Sequence, residues 1–332
     1  MGEVDCMSLR FTICIPVRNS LKTLPRCLES IRSQNFFDYE IVIVDNGSDE
    51  ETICYLQAIE DDRIHVIYQE NEGLYLSRKK AMETAKGDYL FFLDSDDYLE
   101  QGILAKLSAV VDQTQADVLL LTTSLIGQSM EKQIRYPFVP NVKMELKQEM
   151  IQDFLSEPLF NNLWNKVIKR GVLTGKHTYH LTCVEGMLYL LELLEKHFSF
   201  VNCADLHYLY SVNDGSAIRA YNKNFSNEFE IVMDEYLKFV QKLQRPDLKE
   251  EKAASFYFML FTHICSIGYG FNGKESYRKM KTLRKSSGVR KLYASFKMKG
   301  LSRSRRGVLI LFKAKFFRCI HLICKLKKRG RV

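Results

Sequence analysis

The chain lacks most of the short signatures that would declare a function at once. Nine cysteines occur in 332 residues, and no two form a C-x-x-C pair. A zinc ribbon, a dithiol redox centre and a disulfide framework are therefore not expected. The thiols read as reduced and buried, as in a cytosolic protein. No G-x-G-x-x-G follows the first apolar run, and no G-x-x-x-x-G-K-[ST] occurs anywhere. Dinucleotide-binding and P-loop chemistry lack the glycines they need. No basic stretch leads into an apolar one near residue 1, so no secretory signal is expected. Acids are missing from the C-terminal end: Glu275 is the last one, and 20 of the 48 Lys and Arg follow it. Up to Glu275, 28 basic residues face 40 acidic ones, a net −12, and the remainder carries +20. That asymmetry points to a tail that meets something anionic.

What is present is a core-forming composition, with 46% hydrophobic residues, and a strict alternation of strand and helix patterns. Residues 10–17 and 40–45 read as buried strands, and 64–68 as a third, short one. Residues 89–93 (YLFFL) form a fourth, again an apolar run. Helical spacing fills 20–33, 52–59 and 76–85. This β-α-β-α-β-α-β order predicts an α/β fold with a parallel sheet and helices on both faces. Ligands of such sheets sit outside the carboxyl ends of the strands. There the chain places residues 16–19, residues 45–48 and, after the fourth strand, Asp94-Ser95-Asp96-Asp97. Three carboxylates within four residues repel one another unless a cation sits among them. A divalent metal on a phosphorylated ligand fits; a plain surface turn is the bland alternative.

The stretches FTICIPVRN (11–19), CLESIRSQ (27–34), EIVIVDNGSD (40–49) and AKGDYLFFLDSDDYL (85–99) resemble the family 2 glycosyltransferases of the GT-A fold. The resemblance implies an inverting transferase using a nucleotide-sugar donor, UDP by default, and Mn²⁺ or Mg²⁺. It implies donor contacts from Pro16, Val17, Arg18, Asn19, Asp45, Asn46, Arg78, Asp94 and Ser95. Asp96 would be the metal ligand, with Asp94 and Asp97 as further ligands or supporting partners. Two positions depart from the pattern: Asn46 stands where a second Asp is common, and Arg18 where an aromatic residue often stacks on the base.

Further on, NLWNKVIKRGVL (162–173) resembles the family's W-N-K segment, which suggests acceptor contacts from Trp164, Asn165 and Lys166, although a lone Trp is commonly core. In relatives an Glu-Asp pair opens a helix near 185, and its Asp is the general base. Here the pair is Glu185-Gly186, which leaves Glu185 as the candidate base. Residues 207–219 resemble the closing strand and loop, with Ser216 and Arg219 over the diphosphate and Ser211 where Arg is usual.

The expected layout is a lead at 1–8 and a GT-A domain at 9–222, divided at 100 into donor and acceptor halves. A helical extension at 223–300 and a basic amphipathic tail at 301–332 follow. As one helix, the tail would put Leu309, Phe312, Phe316, Ile320, Ile323 and Leu326 on one face, too interrupted by charge to span a bilayer. An anionic membrane is the expected partner of 303–331, and nucleic acid is not. The functional expectation is a transferase at the cytoplasmic membrane face, adding a sugar to a saccharide or lipid-linked acceptor in surface polysaccharide assembly. Its rival is a non-catalytic homologue acting as a membrane-associated scaffold, favoured by Gly186. A nucleotidyltransferase shares sheet and metal but needs a glycine-rich basic first loop, which is missing.

Overall fold

A computed structural model describes residues 9–127, 130–156, 158–182, 184–212 and 221–329. The chain forms two compact units: Met1–Asp153 with Leu159–Val212, and Phe154–Pro158 with Asn213–Val332.

The first unit begins with β1 (Phe11–Val17), α1 (Leu24–Arg32), β2 (Tyr39–Asn46), α2 (Glu50–Gln57), β3 (Ile64–Gln69), α3 (Leu74–Thr84) and β4 (Tyr89–Phe92). It continues through β5 (Tyr98–Leu99), α4 (Ile103–Thr114), β6 (Val118–Gly127), β7 (Met130–Ile134), β8 (Lys143–Glu145), the first half of α5 (Ile151–Ser156), β9 (Lys166–Lys169), α6 (Gly186–Leu194) and β10 (Ser199–Ser211). The sheet order is β3-β2-β1-β4-β9-β6-β10-β5. Strands β1, β2, β3 and β4 pair in parallel, and β9 runs antiparallel between β4 and β6. Every residue of β1, β2 and β4 is buried, which explains the unbroken Ile, Val and Phe runs: a parallel sheet is covered on both faces. Gly87 opens β4 because a Cβ there would lie 2.5 Å from the Phe11 carbonyl carbon and the Thr12 nitrogen. Only glycine admits that approach between β1 and the entry to β4.

Strand β10 changes register against β6 between Cys203 and His207. Such an irregularity re-aims the residues beyond it. Past it, β10 pairs with β5 and carries Tyr208 to the acidic turn.

The second unit is helical: α7 (Phe225–Lys242), α8 (Ala253–Gly270), α9 (Gly273–Lys285), α10 (Ser287–Ser295), α11 (Arg303–Lys313) and α12 (Phe317–Arg329). The aromatic stripe of α8 is core: Phe256 packs on Phe229, Tyr236 and Phe296.

The tail departs from the expected single interfacial helix. It breaks into α11 and α12 around Lys315, whose φ is +69°. Leu309, Phe312 and Ile320 are fully buried, and both helices pack on α8 and α9. Lys325 Nζ also donates to the Tyr269 carbonyl at 3.1 Å. Burying apolar side chains on a ready apolar neighbour is favourable without any lipid. What stays outside is a smaller set: Ile310, Phe316, Leu322 and Leu326, each more than half exposed. No helix among the described residues is long and apolar enough to cross a membrane.

Candidate functional site

The carboxyl ends of β1, β2 and β4 converge, and the loops that leave them hold one another in place. Asn19, in a left-handed conformation with φ +52°, accepts from the Asp49 N–H at 2.8 Å and donates its own N–H to Ser48 Oγ at 3.0 Å. Short polar side chains tolerate that conformation better than most residues. Asp49 caps α2 by accepting from the Thr52 N–H. Pro16 and Val17 lie within β1, with Val17 buried, and Arg18 is exposed beyond them.

Asp45 is the penultimate residue of β2 and is 2% exposed. Its Oδ2 accepts the Ser48 N–H at 3.3 Å, and its Oδ1 is buried without a hydrogen-bond partner. A buried acceptor left open is costly, and a ligand N–H satisfies it. Asn46 Oδ1 is already engaged, accepting from Gln69 Nε2 at 3.1 Å and the Glu72 N–H at 2.9 Å. The Asn71 amide sits 3.3 Å from Asn46 Nδ2 and 3.2 Å from the Arg18 guanidinium.

The acidic turn is built by side chains that point in opposite directions. Asp97 faces inward and is fully buried. Its Oδ2 accepts from the Tyr208 hydroxyl and its Oδ1 from the Ser211 N–H, both at 2.7 Å. Burial, then the charges of Asp94 and Asp96, push its carboxyl well above the usual range. Asp97 therefore ties the turn to β10 and does not face outward as a metal ligand. Ser95 Oγ donates to Ser20 Oγ at 2.8 Å, joining the turn to the loop after β1. Asp94 and Asp96 are half-buried.

Arg78 is the connector that spacing alone does not reveal. It lies on α3, 2% exposed. Its Nη2 donates to Asp94 Oδ1 at 2.6 Å, and its Nη1 pairs with Glu185 Oε1. One cation thus bridges the acidic turn and the candidate base, which lie 16 and 107 residues from it in the chain. Burial pushes the Glu185 carboxyl above its ordinary value, and the Arg78 charge opposes that shift.

Glu185 precedes α6, and Gly186 is its first residue. A Cβ on Gly186 would meet the Asn161 carbonyl oxygen at 2.7 Å. An Asp at 186 has no room unless the 161–162 backbone moves. Lys166 holds that backbone. It is 1% exposed, and its Nζ donates to the Phe160 carbonyl at 2.9 Å, to Asn165 Oδ1 at 2.8 Å and to the Asn162 carbonyl.

Trp164, Asn165 and Lys166 are thus inside the unit and do not line an acceptor cleft. Trp164 stacks on Tyr208 at 4.8 Å between ring centroids. Asn165 is fully buried and accepts from the Tyr136 hydroxyl at 3.2 Å. The tripeptide is wedged among β6, β9 and β10, where burial rewards an aromatic ring and satisfied polar groups. Ser216 and Arg219 lie outside the described residues.

Arg26 is a site residue that the sequence reading missed. It sits on α1, its guanidinium 4.4 Å above the Tyr98 ring, and its Nη2 donates to the Asp96 carbonyl and to Ser211 Oγ, each at 2.7 Å. Position 211 is where the family pattern has Arg, so a guanidinium reaches that neighbourhood from another element.

The donor set for a divalent cation comprises hard oxygens only. Among the described residues no three-residue His, Cys, Asp or Glu cluster forms a closed metal cage. Two half-buried carboxylates, Asp94 and Asp96, suit Mg²⁺ or Mn²⁺ shared with phosphate oxygens, a common way of holding such ions.

Comparison with known proteins agrees with this geometry. Glycosyltransferase GlyG of Streptococcus pneumoniae serotype 4 is 33% identical over 117 residues, 34% of this chain and 39% of GlyG. The match thus spans well under half of that relative's length. The putative glycosyltransferase EpsH of Bacillus subtilis is 25% identical over 268 residues, 77% of this chain and 76% of EpsH. Residues 1–349 of S. aureus TarS, solved with UDP-GlcNAc, superpose with a TM-score of 0.58 at 18% identity, covering 97% of this chain and 92% of that one. The fold is that of the GT-A glycosyltransferases. The family model for glycosyl transferase family 2 matches residues 12–183, more than half of the chain, and the chain belongs to that family.

Proposed function

We propose that the chain is an inverting glycosyltransferase that moves a sugar from a nucleoside-diphosphate donor, UDP by default, to a saccharide or lipid-linked saccharide acceptor in surface polysaccharide assembly. The reading rests on one juxtaposition. The open buried acceptor of Asp45 and the half-buried acids Asp94 and Asp96 sit at the carboxyl ends of β2 and β4, the two parallel strands that flank β1. The first suits the imide N–H of a uracil; the second suits a diphosphate with its cation. TarS, a structural neighbour, was solved with UDP-GlcNAc, and EpsH is named as a glycosyltransferase.

In this reading Arg18 lays its planar guanidinium on the base, while Asn19 and Ser95 hold the loops that frame the diphosphate. Asp94 and Asp96 would hold the divalent cation, which would supply positive charge against the leaving diphosphate. Arg26 lies beside the same turn and adds a fixed positive charge. Glu185 receives the proton of the acceptor hydroxyl as its oxygen attacks the anomeric carbon and the sugar–phosphate bond breaks. Arg78 fixes the Glu185 carboxylate relative to Asp94, so base and donor site are set by one side chain. Residues 303–331 carry the chain to an anionic, cytoplasmic membrane face through basic side chains around the outward residues of α11 and α12.

A second reading has two observations behind it. Glu185 is 4% exposed and locked on Arg78, and Gly186 excludes the family aspartate; a donor-binding homologue without transfer accounts for both. Titration of UDP-GlcNAc and UDP-glucose with Mn²⁺ into wild type and Asp96→Ala tests the first step. Metal-dependent binding that falls at least about tenfold in the variant is expected. Equal binding in both, or none, overturns the donor site. Donor binding with no transfer to any acceptor leaves the second reading.

A further inference from the structure

We infer that the helical unit carries a pocket for a phosphate monoester head group of a membrane lipid, formed by Arg284, Lys285, Arg290, Tyr293 and Lys313. These five residues line a cavity of about 500 Å³. They come from the end of α9, from α10 and from the end of α11. None of the four cations makes an ion pair among the described residues, and no Asp or Glu occurs after Glu275 on these elements or elsewhere in the chain. Such a concentration of positive charge is self-repelling, and a multiply charged anion relieves it.

The pocket is built, not merely a charged rim. Arg284 is half-buried and anchored, its Nε donating to the Lys313 carbonyl at 3.0 Å. Lys313 Nζ lies 5.1 Å above the Tyr293 ring. The Tyr293 hydroxyl is buried with no hydrogen-bond partner, a donor that a phosphate oxygen would satisfy. Guanidinium forks and a phenol make charge-assisted bonds to phosphate with defined geometry.

The source of the phosphate is read from what flanks the cavity. Ile310, one turn before Lys313 on α11, is 52% exposed, and Phe316, at the corner after it, is 56% exposed. Apolar side chains beside an anion pocket suit a phosphate at a bilayer surface, with the apolar groups in the interface. This choice of source rests on the membrane reading above; the anion pocket does not.

The test uses the full chain and sedimentation with phosphatidylcholine vesicles carrying either phosphatidate, a monoester, or phosphatidylserine, matched in surface potential. Wild type is expected to bind the phosphatidate vesicles about tenfold more tightly. The triple variant Lys285→Gln/Arg290→Gln/Lys313→Gln removes exposed side chains only, and should bring that ratio to about one. Lys299→Gln/Arg303→Gln/Arg306→Gln removes the same charge elsewhere, and should weaken both lipids while keeping the ratio. Tyr293→Phe should lower the ratio without loss of thermal stability. Equal binding of both lipids by wild type, or the same ratio in both triple variants, overturns the pocket and leaves the membrane reading standing. Wild type that binds no anionic vesicle overturns the membrane reading. Saturable binding of methyl phosphate lost only in the pocket variant, with no lipid preference, overturns the lipid as its source.

Discussion

Asp45 carries the nucleotide question at the scale of single residues. Its open Oδ1 is a buried acceptor beside one that is already satisfied. If it receives a uracil imide N–H, UDP methylated at N3 should bind wild type at least about tenfold more weakly than UDP. In Asp45→Ala the two nucleotides should bind equally. Competition titration of both checks this. Lys166 makes the opposite point, because its role is internal. Three oxygens accept from its Nζ inside the unit. Lys166→Met leaves them unsatisfied and should cost about 2–4 kcal/mol of stability. A residue contacting the acceptor would instead raise the acceptor KM of a protein that melts normally, so denaturation curves and acceptor kinetics together decide.

At the scale of elements, the start of α6 is the informative place. The family pattern puts the base one residue further on, where the Asn161 carbonyl closes the space over Gly186. Gly186→Asp should therefore not gain activity. It should destabilise by about 1–3 kcal/mol, the usual range for overpacking. Glu185→Gln removes the proton acceptor while keeping the shape. Turnover should fall about 10²-fold or more, with donor affinity within about threefold of wild type. Thermal melts and steady-state kinetics on both variants test the pair. Turnover unchanged in Glu185→Gln removes it from the base role. The α11–α12 corner shows an element whose helical face was legible while its partner was not. The periodicity is real, and the structure spends much of it on α8 and α9.

At the scale of the molecule, the helical unit has a pH-sensitive core residue. His263 is 5% exposed and stacked 4.1 Å from Phe225 and 5.4 Å from Tyr221. Burial lowers its pKa from the ordinary 6.5 to about 4. The folded state therefore keeps it neutral where the unfolded chain takes up a proton. This contribution is whole above pH 6.5 and is lost as pH falls toward 4, in total roughly 3 kcal/mol. His263→Phe should abolish the fall. The difference in denaturation free energy between wild type and variant, measured at pH 7 and at pH 4.5, isolates it from other titrating groups. Charge is also distributed at this scale: 20 basic residues and no acid follow Glu275 in the chain, while Lys279 and Lys291 find their acids in Glu275 and in Asp234 of α7.

The alternation of strands and helices, the parallel sheet and the acidic turn after β4 were legible in the sequence. They depend on local periodicity and on residues adjacent in the chain. Which way each polar group faces was decided only by the tertiary structure. Asp97 and Asp96 are neighbours with the same side chain, yet β10 claims the first through Tyr208 and Ser211. Trp164, Asn165 and Lys166 have the composition of a binding cleft and serve the core. Arg78 joins Asp94 to a glutamate 107 residues away, a link no local pattern encodes. The apolar face of the tail suits lipid in the sequence, but three of its six residues, Leu309, Phe312 and Ile320, are buried within the helical unit. Burial is a property of what packs against a residue, and that partner comes from elsewhere in the chain.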